Sequence, residues 1–91
     1  MGNKTVSIQV FGKVQGVYYR QSTHKVATEL GLQGKVLNQT DGTVFIEASG
    51  NEEAIAQLIH WCQDGPVLAR VSRVEVKELP ARSYKGFEIE R

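Results

Sequence analysis

The spacing of the apolar residues changes in a definite order along this 91-residue chain. From position 6 to position 10 every second residue is apolar, whereas from position 23 to position 30 the apolar residues recur with the spacing of a helical face. A period of two predicts a half-buried strand, and a period near 3.6 predicts an amphipathic helix. The two patterns continue to alternate towards the C-terminus. They predict the order strand, helix, strand, strand, helix, strand and a short last strand.

Turn and cap residues agree with this order. Gly31 stands where a helix C-terminal glycine is expected, and Asp41-Gly42 is a strong hairpin signal between two β-rich arms. Asn51 is a good N-cap for the second helix. Two helices on one face of an antiparallel sheet give an α+β fold, the ferredoxin-like split β-α-β sandwich. We expect residues 1–91 to form a single domain of this kind.

Charge and cysteine content narrow the function classes. The formal net charge is +1, so no broad positive field exists for nucleic acid or an anionic membrane. The single cysteine, Cys62, excludes an internal disulfide and fits a reducing compartment. The first ten residues contain no long apolar run of the kind that signal peptides and membrane spans need. We expect a cytoplasmic protein without nucleic-acid or membrane partners, and nothing demands more than a monomer.

The stretch "GKVQGVYYR", residues 12 to 20, follows the first strand and precedes the first helix. It has neither the G-x-x-x-x-G-K-[ST] nor the G-x-G-x-x-G spacing of nucleotide-binding loops. Backbone N–H groups in such a turn can converge at the positive end of the helix, where an oxyanion binds well. The planar fork of Arg20 can hold two phosphate oxygens. The alternative interpretation is a plain turn that binds nothing.

A phosphate held in this loop would meet little reactive chemistry. A phosphotyrosine-type phosphatase loop needs a cysteine six residues before the arginine, and that position is Val14. Cys62 falls on the apolar stripe of the second helix, which indicates an inert core thiol. His24 lies one helical turn after Arg20 and either approaches the same site or is an ordinary exposed histidine. No cluster has metal-ligand spacing, so we predict no metal.

An acyl phosphate suits a site of this kind, because its leaving group is a stable carboxylate. Its hydrolysis needs charge stabilisation and a positioned water molecule. Asn38 is the residue that could hold this water, since it shares a strand face with Val36 next to the hairpin turn. A buried amide on that face needs a partner. The alternative is that Asn38 only hydrogen-bonds the backbone of the hairpin.

Three blocks of the sequence resemble the signatures of the acylphosphatase family. "GKVQGVYYR" is similar to G-x-V-Q-G-V followed by a variable residue, an aromatic residue and arginine. "GKVLNQTDGTV" is similar to the second signature, which runs from glycine through asparagine to Asp-Gly and a β-branched residue. "YKGFEI" is similar to the closing Tyr-x-x-Phe-x-Ile. The blocks have the family's order and spacing, so the resemblance covers essentially the whole chain.

The resemblance implies an enzyme that hydrolyses the carboxyl-phosphate bond of small acyl phosphates without a cofactor. Inorganic phosphate would be its product and its inhibitor. Carried over position by position, Arg20 would bind the phosphate and Asn38 would orient the attacking water. The backbone amides around the phosphate would be those of Gln15, Gly16, Val17, Tyr18, Tyr19 and Arg20.

Two positions depart from the family pattern. Lys35 stands where many members carry tryptophan or another large apolar residue, and Tyr19 stands where phenylalanine is commoner. The hydroxyl group of Tyr19 needs a partner or an exit to water. Two other function classes stay open beside the enzyme: a regulatory domain that binds phosphate without turnover, and an RNA-binding module, which would need exposed aromatic residues on central strands.

Overall fold

The computed structural model describes residues 2–90. Its strands and helices follow the predicted order. They are β1 (Asn3–Lys13), α1 (Tyr19–Glu29), β2 (Gln33–Asn38), β3 (Val44–Asn51), α2 (Glu52–Cys62), β4 (Arg70–Leu79) and β5 (Phe87–Glu90). No helix in this part of the chain is long and apolar enough to cross a membrane.

The strands form one sheet in the order β4-β1-β3-β2-β5. The four longer strands pair antiparallel, as predicted, whereas β5 runs parallel to β2. The sheet is therefore mixed. Residues 80–86 connect β4 at one edge of the sheet to β5 at the other edge. The last residue of β4 and the first residue of β5 lie at the same end of the sheet. Since the connection returns β5 to the end where β2 begins, the two strands run in the same direction.

The core lies between the sheet and the two helices. The alternating residues Val6, Ile8 and Val10 of β1 are buried with at most 1% of their surface exposed. From α2, Leu58 and Cys62 pack fully buried in the same cluster. The predicted strand period of β1 and helical period of α2 are confirmed, because the apolar positions of these two elements face this one core.

The helix ends also match the sequence prediction. The side chain of Asn51 caps α2, since its Oδ1 accepts hydrogen bonds from the backbone N–H groups of Glu53 and Ala54. Gly31 follows the last turn of α1 with a φ of 75°, and its N–H donates to the carbonyl oxygen of Thr28. A left-handed glycine at this place is a common way for a helix to end.

The face of the sheet opposite the helices is more covered than an alternating strand predicts. Ser7 in β1, expected on the outward face, is 8% exposed. The segment between β4 and β5 crosses this face. Glu47 in β3 accepts a hydrogen bond of 2.8 Å from the hydroxyl of Tyr84 and pairs with Arg82 at 3.4 Å. These contacts hold the crossing segment on the sheet and so set where β5 begins.

Candidate active site

One end of the sheet carries a cleft of about 300 Å³. The β1–α1 loop, the last residue of β2 and the end of β5 meet there. They meet because β1 and β2 both run antiparallel to β3 and β5 runs parallel to β2, so β1, β2 and β5 end on the same side. The residues that line the cleft are Gly16, Tyr18, Arg20, Gln21, Asn38 and Ile89.

The loop between β1 and α1 alternates between anchored and cleft-lining residues. Gln15 donates from Nε2 to the carbonyl oxygens of Gln39, at 2.8 Å, and Thr43, at 2.9 Å. Val17 and Tyr19 are buried, with 4% and 1% of their surface exposed. The intervening positions 16, 18 and 20 line the cleft. Every second side chain thus ties the loop to the body of the protein, which holds the lining residues in place.

Tyr19 joins the start of α1 to the end of α2. Its hydroxyl donates to the backbone carbonyl of Cys62 at 2.7 Å, and its ring centroid lies 5.3 Å from that of Trp61. The hydroxyl therefore has the partner that the sequence required. Burial is the main cause that raises the pKa of Tyr19, and burial also raises the pKa of the Cys62 thiol to about 12. Cys62 is protonated at neutral pH and is a poor nucleophile.

The backbone of the loop opens the start of α1 towards a ligand. Gly16 has a φ of 74°, and Tyr18, the N-cap, has a φ of 65°. Among residues 2–90, no side chain forms a capping bond at this cap. The first N–H groups of a helix have no partner within the helix and carry partial positive charge. Such a terminus attracts an oxyanion.

Arg20 lies in the first turn of α1 and lines the cleft. Its Nη1 donates to the carbonyl oxygen of Glu90, the last residue of β5, at 3.3 Å. A guanidinium group has five N–H donors in a planar fork, so this bond leaves other donors for an anion. The predicted phosphate-binding arginine is therefore placed at the cleft and oriented by the edge strand.

Asn38 ends β2 and lines the same cleft. Its Oδ1 is buried and has no hydrogen-bond partner among residues 2–90. A bond from this oxygen to the hairpin backbone, the alternative left open by the sequence, is therefore not formed. Buried polar atoms without a partner are uncommon in folded proteins. An acceptor of this kind suits a water molecule or a ligand group that donates a hydrogen bond.

His24 does not join this arrangement. Its ring packs edge-on against Phe87, with 6.3 Å between the ring centroids, and it is not among the residues that line the cleft. Of the two alternatives left open for His24, approach to the site of Arg20 is thus not supported by the placement. Within the described range 2–90, no group of three or more histidine, cysteine, aspartate or glutamate side chains could hold a metal ion.

Three contributors to the cleft were not predicted as site residues. Ile89 and Gln21 line it, and the carbonyl oxygen of Glu90 orients Arg20. Ile89 belongs to the short last strand that the sequence predicted, but no local signal placed that strand beside the β1–α1 loop. A backbone carbonyl leaves no trace in the residue type, so Glu90 could not have been found from the sequence.

The fold and the cleft together define a class of protein. It is a small α+β domain with a ferredoxin-like topology, in which a helix start, an arginine and an unpaired amide oxygen surround a space suited to a phosphate-sized anion. Known proteins of the same fold identify the class more closely.

The acylphosphatase family model matches residues 6–89. The acylphosphatase of Acidovorax sp. (strain JS42) is 51% identical over 84 residues, which are 92% of this chain and 87% of that protein. The structure of an acylphosphatase from Coxiella burnetii has a TM-score of 0.94 at 38% identity and covers 97% of this chain and 93% of its own. The chain belongs to the acylphosphatase family and is an enzyme of that kind, which acts on acyl phosphates.

A second solved structure agrees with this assignment. The acylphosphatase from Bacillus subtilis has a TM-score of 0.92 at 31% identity and covers 96% of this chain and 98% of its own. Because nearly all of both chains is covered, the similarity extends over the whole fold and is not restricted to the β1–α1 loop. The prediction of a ferredoxin-like acylphosphatase is confirmed.

Proposed function

We propose that the enzyme hydrolyses acyl phosphates by attack of a water molecule held by Asn38 on a phosphoryl group held by Arg20 and the loop amides. The observation that carries this proposal is the buried Oδ1 of Asn38, which has no partner among residues 2–90 and lies in the same cleft as Arg20. A water molecule bound there would donate one hydrogen to Oδ1. Its lone pairs would remain available for the phosphorus atom.

The phosphoryl group lies against the backbone N–H groups of residues 15–20 and the guanidinium of Arg20. The support for this placement is the open start of α1 together with the cleft-lining position of Arg20. Both favour charge on the phosphate oxygens. Preorganised donors of this kind stabilise a transition state in which negative charge is spread over the transferred group.

The reaction balances without further groups. The water oxygen forms a bond to phosphorus, the bond between phosphorus and the acyl oxygen breaks, and the carboxylate leaves with the electron pair. The proton of the water passes to a phosphate oxygen, since the cleft-lining residues that the structure describes include no carboxylate, histidine or lysine. The products are a carboxylate and inorganic phosphate, and the latter competes for the same donors.

A monomer in the cytoplasm suffices for this activity. The cleft that carries Arg20 and Asn38 forms within a single copy of the chain. The single cysteine, Cys62, is a buried free thiol, which is compatible with a reducing compartment. Size-exclusion chromatography with light scattering tests the monomer, and a mass near 20 kDa, about twice the 10.1 kDa of the chain, would contradict it.

Hydrolysis of benzoyl phosphate, followed by ultraviolet absorbance with a chelator present, tests the proposed mechanism. Arg20→Ala should lower kcat/KM by at least about 100-fold, because it removes charge stabilisation from bound phosphate and transition state alike. Arg73→Ala is the matched control, since Arg73 is an exposed arginine on the edge strand β4 and pairs with Glu75. Turnover by Arg20→Ala within a few-fold of the wild type would contradict the role of the guanidinium.

Asn38→Ala tests the position of the water. We expect kcat to fall by about 100-fold, with little change in the inhibition constant of inorganic phosphate, because water orientation matters mainly in the transition state. Asn3→Ala, an exposed asparagine at the start of β1, is the control. Loss of phosphate inhibition in a folded Asn38→Ala protein would mean that Asn38 binds the phosphate, and the proposed role would be wrong.

A further inference from the structure

Tyr18 is an aromatic residue in an unusual place. It lines the cleft, yet 65% of its surface is exposed. Aromatic side chains bury a large apolar area when they can, and they contribute strongly to binding when a ligand covers them. The other large hydrophobic residues exposed within 2–90 are Val67, Leu68 and Val76, and none of them lines the cleft. An uncovered ring beside the catalytic groups indicates contact with the substrate.

The backbone of Tyr18 points to the same conclusion. Its φ of 65° is the only positive value at a non-glycine residue in the described range. A left-handed conformation is unfavourable for such a residue, and it persists where neighbours hold it, often at binding sites. Here the neighbours are Val17 and Tyr19, which are both buried in the core. The anchored flanks hold Tyr18 at the cleft in spite of the strain.

The part of the cleft beside the proposed phosphoryl and water positions is lined by uncharged side chains. With Gly16 and Arg20 at the phosphoryl group and Asn38 at the water, the remaining lining residues are Tyr18, Gln21 and Ile89. None of these three carries a charge, and two of them are apolar over most of their side chains. A charged acyl group would find no ion-pair partner among them. An apolar acyl group would find an aromatic residue on the loop side and an aliphatic residue from β5.

The cleft has room for more than a phosphoryl group. Its volume of about 300 Å³ lies at the lower end of the range of ~300–1,000 Å³ that is usual for ligand pockets. A ring-sized acyl group can therefore occupy it together with the phosphoryl group, whereas an acetyl group leaves much of the apolar surface in contact with water.

We propose that Tyr18 and Ile89 bind the acyl group and that the enzyme prefers acyl phosphates whose acyl group is apolar and about the size of an aromatic ring. This inference rests on the proposed function, because it takes the phosphoryl group to lie at Arg20. Tyr18 is then the residue that determines specificity, through contact with the leaving carboxylic acid.

Two substitutions separate the contribution of the Tyr18 ring from the contributions of its hydroxyl and its left-handed backbone. Tyr18→Asn removes the ring but accepts a left-handed backbone, which asparagine adopts more readily than most residues. Tyr18→Phe keeps the ring and removes only the hydroxyl. We would measure kcat/KM of each variant for benzoyl phosphate and acetyl phosphate and divide each value by that of the wild type. The intrinsic reactivity of each substrate then cancels.

We expect Tyr18→Asn to lose about 10-fold in kcat/KM for benzoyl phosphate and less than about twofold for acetyl phosphate, from the usual worth of an aromatic contact. Tyr18→Phe keeps the ring, so it should retain the wild-type ratio of kcat/KM for benzoyl phosphate to kcat/KM for acetyl phosphate. Inhibition by inorganic phosphate should be unchanged in both variants, since no phosphate donor is removed. Benzoylphosphonate, which cannot be hydrolysed, should inhibit Tyr18→Asn about 10-fold less strongly than the wild type.

Other results would overturn the inference in distinguishable ways. An equal loss with both substrates would mean that Tyr18 supports the loop and does not touch the acyl group. No loss with either substrate, and unchanged inhibition by benzoylphosphonate, would mean that the acyl group lies elsewhere. A wild-type protein that hydrolyses neither substrate would contradict the proposed function itself, and the preference for apolar acyl groups would fall with it.

Discussion

The two helices of this protein begin in opposite ways. At the start of α2, Asn51 accepts two backbone hydrogen bonds, and Glu52 and Glu53 add negative charge in the first turn. At the start of α1, the cap is Tyr18 in a left-handed conformation, and no acidic residue occupies the first turn. The first arrangement satisfies the helix dipole from within the chain. The second leaves the partial positive charge at the start of α1 available to a bound anion.

What replaces the missing cap of α1 is tertiary structure. The hydroxyl of Tyr19 reaches the last residue of α2, and the side chain of Gln15 reaches the hairpin between β2 and β3. These bonds hold the loop without using its N–H groups. A binding site at a helix start thus requires anchors from distant parts of the chain, whereas a purely structural helix start can be built from neighbouring residues.

The largest expected difference between the two helix starts is their response to phosphate. At a phosphate concentration of 100 times Kd, binding should stabilise the folded protein by about 2.7 kcal/mol, or roughly 10–20 °C in Tm for a domain of this size. Thermal unfolding with and without phosphate measures the shift. Asn51→Ala should keep the full shift, because its site is at the other helix. Arg20→Ala should lose most of it, and a full shift in Arg20→Ala would contradict the site.

The anchor at Tyr19 should have the next largest effect. Tyr19→Phe removes a buried hydroxyl and leaves the carbonyl oxygen of Cys62 without that donor, while the ring contact with Trp61 remains. The expected loss is about 1–2 kcal/mol in the free energy of unfolding, measured by urea denaturation. Tyr18→Phe is the matched control, because that tyrosine is mostly exposed. An equal effect of the two substitutions would argue against the anchor.

The hydroxyl of Tyr19 and the thiol of Cys62 predict how the stability of the folded protein changes at alkaline pH. Burial raises the pKa of Cys62 from 9.0 to about 12 and raises that of Tyr19 above its ordinary value of 10.0. The folded protein therefore binds these protons more tightly than the unfolded chain, so stability is complete below pH 9 and falls as the pH rises towards 12. Denaturation midpoints across this range measure the fall. Cys62→Ala should start to lose stability at a higher pH than the wild type, and an identical profile would contradict the assignment.

The cap of α2 should have the smallest effect. Asn51→Ala removes the acceptor for two backbone N–H groups and should cost about 1 kcal/mol in the free energy of unfolding. Asn51→Asp keeps an oxygen in the same place and should stay within a few tenths of a kcal/mol of the wild type. Neither should change kcat/KM by more than about twofold. A large loss of activity with intact folding would mean that the two helix starts are coupled.

Much of the fold was predictable because its signals are local. The alternation that ends at Val10, the Asp41-Gly42 turn and the cap at Asn51 each act over a few neighbouring residues, and each is found where the sequence placed it. The parallel pairing of β5 was not predictable in this way. The pairing depends on the segment that crosses the sheet between β4 and β5. This segment is held by a hydrogen bond from Tyr84 to Glu47, two residues that are 37 positions apart in the sequence.

The candidate site likewise has features that the sequence predicted and features that depend on contacts between distant segments. The loop, Arg20 and Asn38 were predicted as site residues from residue types, spacing and the resemblance to the family signatures, and the structure brings all three to one cleft. The sequence alone determined the elements, their order and the chemical groups on offer, since periodicity and capping act through near neighbours along the chain. Only the tertiary structure decided that Arg20 is oriented by Glu90 and that Tyr18 stays exposed at the cleft, because these features arise where distant segments meet and exclude or admit water.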